Sequence, residues 1–132
     1  MGEANLDIVQ GIYAGFDRRD LPACFQAFAE DIRWIHPDGM NDLGVGGTKR
    51  GHQGVRAFLA QVPEVMAGLR LEPQEFITSG NRIVVFGKRQ VTAHSGAAAT
   101  FSFIHSWTLR QGVVTAMEDI FDTYALRRFL GY

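Results

Sequence analysis

From about position 70 onward the chain reads as β-prone stretches divided by short turns, and this half constrains the fold more than anything before it. The stretches run about 70–78, 82–93, 98–110 and 113–122, separated by Ser79-Gly80-Asn81, His94-Ser95-Gly96 and Arg110-Gln111-Gly112. Connections this short join neighbouring strands in antiparallel order, so the C-terminal half predicts an antiparallel meander. A sheet with one apolar face needs a covering layer, and the N-terminal half supplies helices for it.

Leu6, Ile8, Val9, Ile12, Tyr13 and Phe16 recur at helical spacing and stop at Asp17-Arg18-Arg19-Asp20, which predicts a helix from about Asn5 to Arg18. Asp20 then stands as an N-cap with Pro22 in the first turn, and Leu21, Phe25, Phe28 and Ala29 mark the inner face of a second, shorter helix. Ile32 to His36 is a short strand that must end before Pro37. Residues 38–51 contain five glycines and few apolar anchors, which predicts a flexible loop, with a lid as the functional alternative. A third helix covers about His52 to Met66, bent or ended by Pro63 near Val62, and Tyr124 to Leu130 adds a terminal helical turn. The expected architecture is one α+β domain over residues 1–132, with helices laid across a strongly bent antiparallel sheet and a cavity at the open end.

Composition narrows the function classes. At 132 residues and 46% hydrophobic, the chain suits a single core that buries roughly two thirds of the unfolded surface without a disulfide or structural metal. The formal charge is −1 and the basic residues are scattered, so no nucleic acid partner is expected. Cys24 lies in a helical, apolar context and reads as a small buried hydrophobe, and a lone thiol fits a reducing cytosol. The N-terminal residues lack a leader pattern and no apolar run approaches the ~18 residues of a membrane span, so the expectation is a cytoplasmic protein that does not engage a membrane.

The polar exceptions in apolar settings are where chemistry is expected. Phe101, Phe103, Trp107 and Leu109 form an apolar face by alternation, and His105 sits at its centre. Burial there favours a neutral imidazole, suited to act as a base or donor, although a pocket-wall histidine satisfied by hydrogen bonds has the same sequence. His36 stands at a strand end. Which acid faces His105 depends on the turn at 110–112. A three-residue turn with a glycine bulge pairs Leu109 with Val113 and turns Asp119 inward. A two-residue primed turn demands positive φ at Gln111 and turns Glu118 and Asp122 inward instead. The first is the favoured reading.

Tyr13 and Trp34 flank the same space, while His52 and His94 are assigned to the surface. Gly44 to Lys49 lacks the order of a phosphate loop, no dinucleotide fingerprint or Gly-x-Ser-x-Gly elbow occurs, and no short-spaced ligand pair points to a metal.

The element order, together with Ile12 to Leu21, Phe28 to Trp34, Gly51-x-x-Gly54-Val55-x-x-Phe58-Leu59, Gly80 to Val85 and His105 to Arg110, resembles the SnoaL-like branch of the NTF2-like superfamily. The resemblance covers nearly the whole chain and implies a cone-shaped α+β fold with an internal pocket, and a homodimer. The superfamily includes ketosteroid isomerases, epoxide hydrolases, polyketide cyclases and non-catalytic binding domains, so the fold alone implies no single reaction. By this resemblance His36, which precedes Pro37, matches the isomerases' general-base Asp, and His105 matches their protonated oxyanion-holding Asp. Tyr13 stands about one position out of register with their oxyanion-hole Tyr. Asp119 resembles the water-positioning Asp of the epoxide hydrolases, with Phe103 where their Arg stands.

The resulting expectation is a cofactor-independent isomerase, cyclase or lyase acting by proton transfer on a small, largely apolar carbonyl compound. His36 is the base. His105, oriented by Asp119, hydrogen-bonds the developing enolate, and Tyr13, Trp34, Phe103, Trp107, Met117 and Phe121 shape the pocket. The alternative is a non-catalytic ligand-binding or dimeric interaction domain.

Overall fold

The computed structural model describes residues 2–132. Helix α1 covers Gly2–Asp17 and α2 covers Leu21–Gln26, with the Asp20 carboxylate accepting from the Ala23 amide at 3.2 Å as the expected N-cap. Cys24 lies buried where the two helices meet; its Sγ donates to the Ile12 carbonyl, and burial pushes the thiol up to about 11.

Strands β1 (Phe28–His36) and β2 (Gly47–Arg50) precede helix α3 (Gly51–Val65). They are followed by β3 (Gly68–Ser79), β4 (Arg82–Thr92), β5 (Ala98–Arg110), β6 (Val113–Ile120) and helix α4 (Thr123–Leu130). The six strands form one curved, open sheet in the order β2-β1-β6-β5-β4-β3. The expected meander is there as β3 to β6. The sheet as a whole is mixed, because β1 pairs with β6 in parallel. The inward face and the helices bury Ile12, Trp34, Phe58, Ile83, Trp107, Leu109 and Leu126 in one core. Among the described residues no helix is long and apolar enough to cross a membrane.

Several boundaries differ from the sequence expectation. Helix α1 starts at Gly2, three residues early. Phe28 and Ala29 belong to β1 rather than α2, since the β1–β6 pairing extends back to Phe28 opposite Val114. Helix α3 continues past Pro63 to Val65, because the Met66 amide still reaches the Val62 carbonyl at 3.0 Å and closes the last turn. Residues 38–51 are not a plain loop: Asp38–Leu43 form a 3-10 helix and β2 pairs with β1 from Arg33↔Arg50 to His36↔Gly47. The glycines there make tight packing possible. Gly44 has φ +81, and a Cβ on Gly46 would lie 2.5 Å from the Asn41 amide nitrogen. The segment therefore clamps the strand that carries Trp34 and His36.

The turn between β5 and β6 also departs from the favoured reading. It has two residues, Gln111 at φ 52 and Gly112 at φ 81, with Arg110 opposite Val113, which is the primed turn judged unfavourable. A register shift then places Thr108 opposite Ala116 and Leu109 opposite Val114, so Thr115 is an extra, bulged residue. One inserted residue restores the parity the turn had inverted. Asp119 consequently points inward beside His105, while Glu118 is exposed and Asp122 caps α4 by accepting from the Ala125 amide at 3.0 Å.

Candidate functional site

Alternation along three neighbouring strands brings His36, Asp119 and His105 into one inward row. Ile35 pairs with Glu118, which sets His36 beside Asp119, and Asp119 pairs with His105. Oδ2 of Asp119 lies 3.4 Å from Nε2 of His36 and 3.4 Å from Nε2 of His105. All three residues are buried, at 8%, 4% and 4% exposure for His36, Asp119 and His105.

The fourth member is Arg89, which the sequence reading left among scattered surface charges. Its Nη2 donates to both Asp119 oxygens, at 2.8 and 2.6 Å. The guanidinium crosses the Phe103 ring at 5.1 Å and the Phe121 ring at 4.7 Å. The signal that would have found it is parity: Ile83, Val85, Gly87, Arg89, Val91 and Ala93 share the buried face of β4. Gly87 is what admits the Phe103 ring beneath the guanidinium, because a Cβ there would sit 2.6 Å from Phe103 Cζ.

Helix α1 contributes Tyr13, whose hydroxyl lies 2.6 Å from Nδ1 of His105. Trp107 Nε1 donates to the same hydroxyl at 2.9 Å. The tyrosine oxygen already accepts from tryptophan, so its own proton goes to Nδ1. That assigns the His105 proton to Nε2, facing Asp119. Both ring nitrogens of His105 are thus turned to protein groups.

Burial lowers the pKa of His105; Asp119 opposes this, and Arg89 and His36 add to it, so the ring is neutral. Burial alone would raise Asp119, but the contacts with His105 and Arg89 outweigh it and hold the carboxyl well below its usual range. Tyr13 is pushed far up, chiefly by burial, and stays a protonated donor.

The row opens on a cavity of about 510 Å³ whose wall includes Tyr13, Trp34, Trp107, Met117 and Phe121 as expected. Phe103 is the exception. It does not line the cavity but packs behind His105, ring centroids 4.2 Å apart, because the Arg89 guanidinium lies over it. His94 is exposed as expected, whereas His52 is half-buried, its Nε2 3.0 Å from the Phe28 carbonyl and its ring edge-on to Phe25. Among the described residues no group of three or more His, Cys, Asp or Glu is arranged to hold a metal ion.

Residues 9–117 match the family model of the SnoaL-like domain. The chain is 48% identical to TerC, solved in co-crystals with polyporic acid, over 98% of this chain and 99% of that one at TM-score 0.95. An NTF2-like protein of unknown function from Burkholderia pseudomallei matches equally well, at 48% identity, 98% of each chain and TM-score 0.95. A SnoaL-like polyketide cyclase from Jannaschia shares the fold at 15% identity, covering 99% of this chain and 94% of that one at TM-score 0.83. No curated protein matches. With its inward-facing polar row and its α+β cone thus matched over nearly its full length, the chain belongs to the SnoaL-like domain family of the NTF2-like superfamily.

Proposed function

We propose that the protein is a cofactor-independent isomerase, cyclase or lyase that moves a proton on a small, largely apolar carbonyl compound. The observation that carries this reading is at His36. Its Nε2 faces Asp119, while its Nδ1 is buried and has no partner among the described residues. An imidazole whose proton is held toward a carboxylate has its lone pair on the other nitrogen, so Nδ1 is the base. Asp119 fixes the tautomer and steadies the imidazolium once the proton arrives, and Arg89 keeps that carboxylate ionised.

His105 serves this reading as a positioning residue that ties the row to Tyr13 and Trp107, rather than as the direct donor to an enolate. The aromatic cavity wall and the polyporic acid bound by TerC, an aromatic carbonyl compound, favour a planar aromatic ligand. The test is exchange of the benzylic hydrogens of phenylacetone in D₂O, followed by proton NMR. The reading expects acceleration by the protein above the buffer rate, and exchange at the buffer rate would count against it.

A second observation favours a dimer. Phe86, Ile104 and Ile120 align across β4, β5 and β6 on the outer sheet face, and Ile77 on β3 shares it. Phe86, Ile120 and Ile77 are exposed at 38%, 49% and 46%. This face suits a second copy of the chain, whether the domain is catalytic or only binds ligand. Sedimentation of Phe86→Lys against the wild type decides it, with a monomeric variant expected.

A further inference from the structure

Three buried polar atoms on the cavity wall have no partner among the described residues: Trp34 Nε1, His36 Nδ1 and Arg89 Nε. The tryptophan and arginine atoms are N–H groups that can only donate. A buried donor without an acceptor is costly enough that folded proteins rarely keep one, so each marks a place where a ligand supplies the acceptor. The other polar groups of the row, Tyr13, His105, Trp107 and Asp119, satisfy one another.

The sheet register places the two donors. Trp34 shares an inward row with Met117 and Trp107, next to the row of His36, Asp119 and His105. Inward rows are two residues apart, roughly 7 Å. Arg89 starts from the opposite side, opposite Phe101, and its guanidinium reaches back to Asp119. The two free N–H groups therefore flank the row that holds the proposed base.

We propose that Trp34 Nε1 and Arg89 Nε are the substrate-oxygen donors of this site and that they select a 1,3-dicarbonyl unit, whose acidic carbon lies between two oxygens. The assignment rests on the reading of His36 as the base. When the C–H bond breaks, its proton passes to His36 Nδ1 and its electron pair spreads over the two oxygens. Each oxygen then has its own donor, and the new imidazolium and enolate charges cancel in the cavity. A monoketone satisfies one donor and leaves the other buried and unpaired, which is the physical source of the selectivity.

The test is calorimetric binding of 1-phenyl-1,3-butanedione and of 1-phenyl-1-butanone, which has the same carbon skeleton with one oxygen fewer. The wild type is expected to prefer the diketone by about tenfold or more. Trp34→Phe keeps an aromatic ring and should bring the preference below about threefold. Arg89→Lys, which keeps a cation for Asp119, should do the same. Equal affinities in the wild type, no detectable diketone binding, or an undiminished preference in folded Trp34→Phe would each overturn the assignment. Binding is read without turnover, so its failure is separate from that of the base: a His36→Ala protein that keeps the preference but still exchanges hydrogens at the wild-type rate removes His36 alone.

Discussion

A single nitrogen of Arg89, Nη2, holds both carboxylate oxygens of Asp119, at 2.8 and 2.6 Å, in a place where both residues are almost fully buried. This pair gives the site an anion that needs no outside counterion. Two imidazoles then share one of its oxygens.

Removing one partner of a buried ion pair strands the other. Asp119→Ala should therefore lose about 3–5 kcal/mol of stability in urea unfolding, far more than its lost contacts suggest. The double substitution Arg89→Met with Asp119→Leu should regain most of that loss, because no charge is left unpaired.

Stability should fall toward acid in two steps of the same sign. His105 has a lowered pKa when folded, so below its ordinary 6.5 the unfolded chain takes a proton that the folded protein refuses. Asp119 is held well below its ordinary 3.8, so its contribution is present above that pH and is lost as the pH falls toward its folded value. Urea midpoints at a series of pH values should drop first below about pH 6.5 and again below about pH 4. His105→Phe should remove the first step and leave the second.

Tyr13→Phe takes the acceptor from Trp107 Nε1 and the donor from His105 Nδ1. The cost should be about 1–3 kcal/mol for the orphaned buried groups. A nitrogen-15 spectrum tests the relay more directly: the His105 proton should sit on Nε2 in the wild type and divide between both nitrogens in the variant.

Gly87→Ala probes how the guanidinium is seated. The added Cβ would meet the Glu72 carbonyl and Phe103 Cζ, each at 2.6 Å, and one of these contacts is backbone. A loss of about 1–3 kcal/mol is expected from overpacking, with shifted Phe103 and His105 resonances.

Much of this arrangement was legible in the sequence for reasons that particular residues make clear. The period of Ile12, Tyr13 and Phe16 and the glycine-marked turns located α1 and β3 to β6, and His105 stood out as a polar residue within an apolar alternation. Asp119 was expected to face inward, and it does, but through a different route. The primed turn at Gln111-Gly112 and the bulge at Thr115 each flip the parity, and together they cancel. Neither is visible from spacing alone.

β2 escaped because four residues among glycines carry no period, and its pairing with β1 is a long-range contact. Arg89 escaped for the opposite reason. Its alternation signal was present in β4, but a charged residue beside Lys88 reads as surface until a buried acid is found to face it.

The claim that His36 is the base is tested most directly by exchange of the benzylic hydrogens of phenylacetone in D₂O with wild type and His36→Ala side by side. The variant should keep the wild-type circular dichroism and melting behaviour while losing about 10²- to 10⁴-fold of the acceleration, the usual contribution of a positioned base. Acceleration equal to wild type in a folded His36→Ala protein would contradict the account.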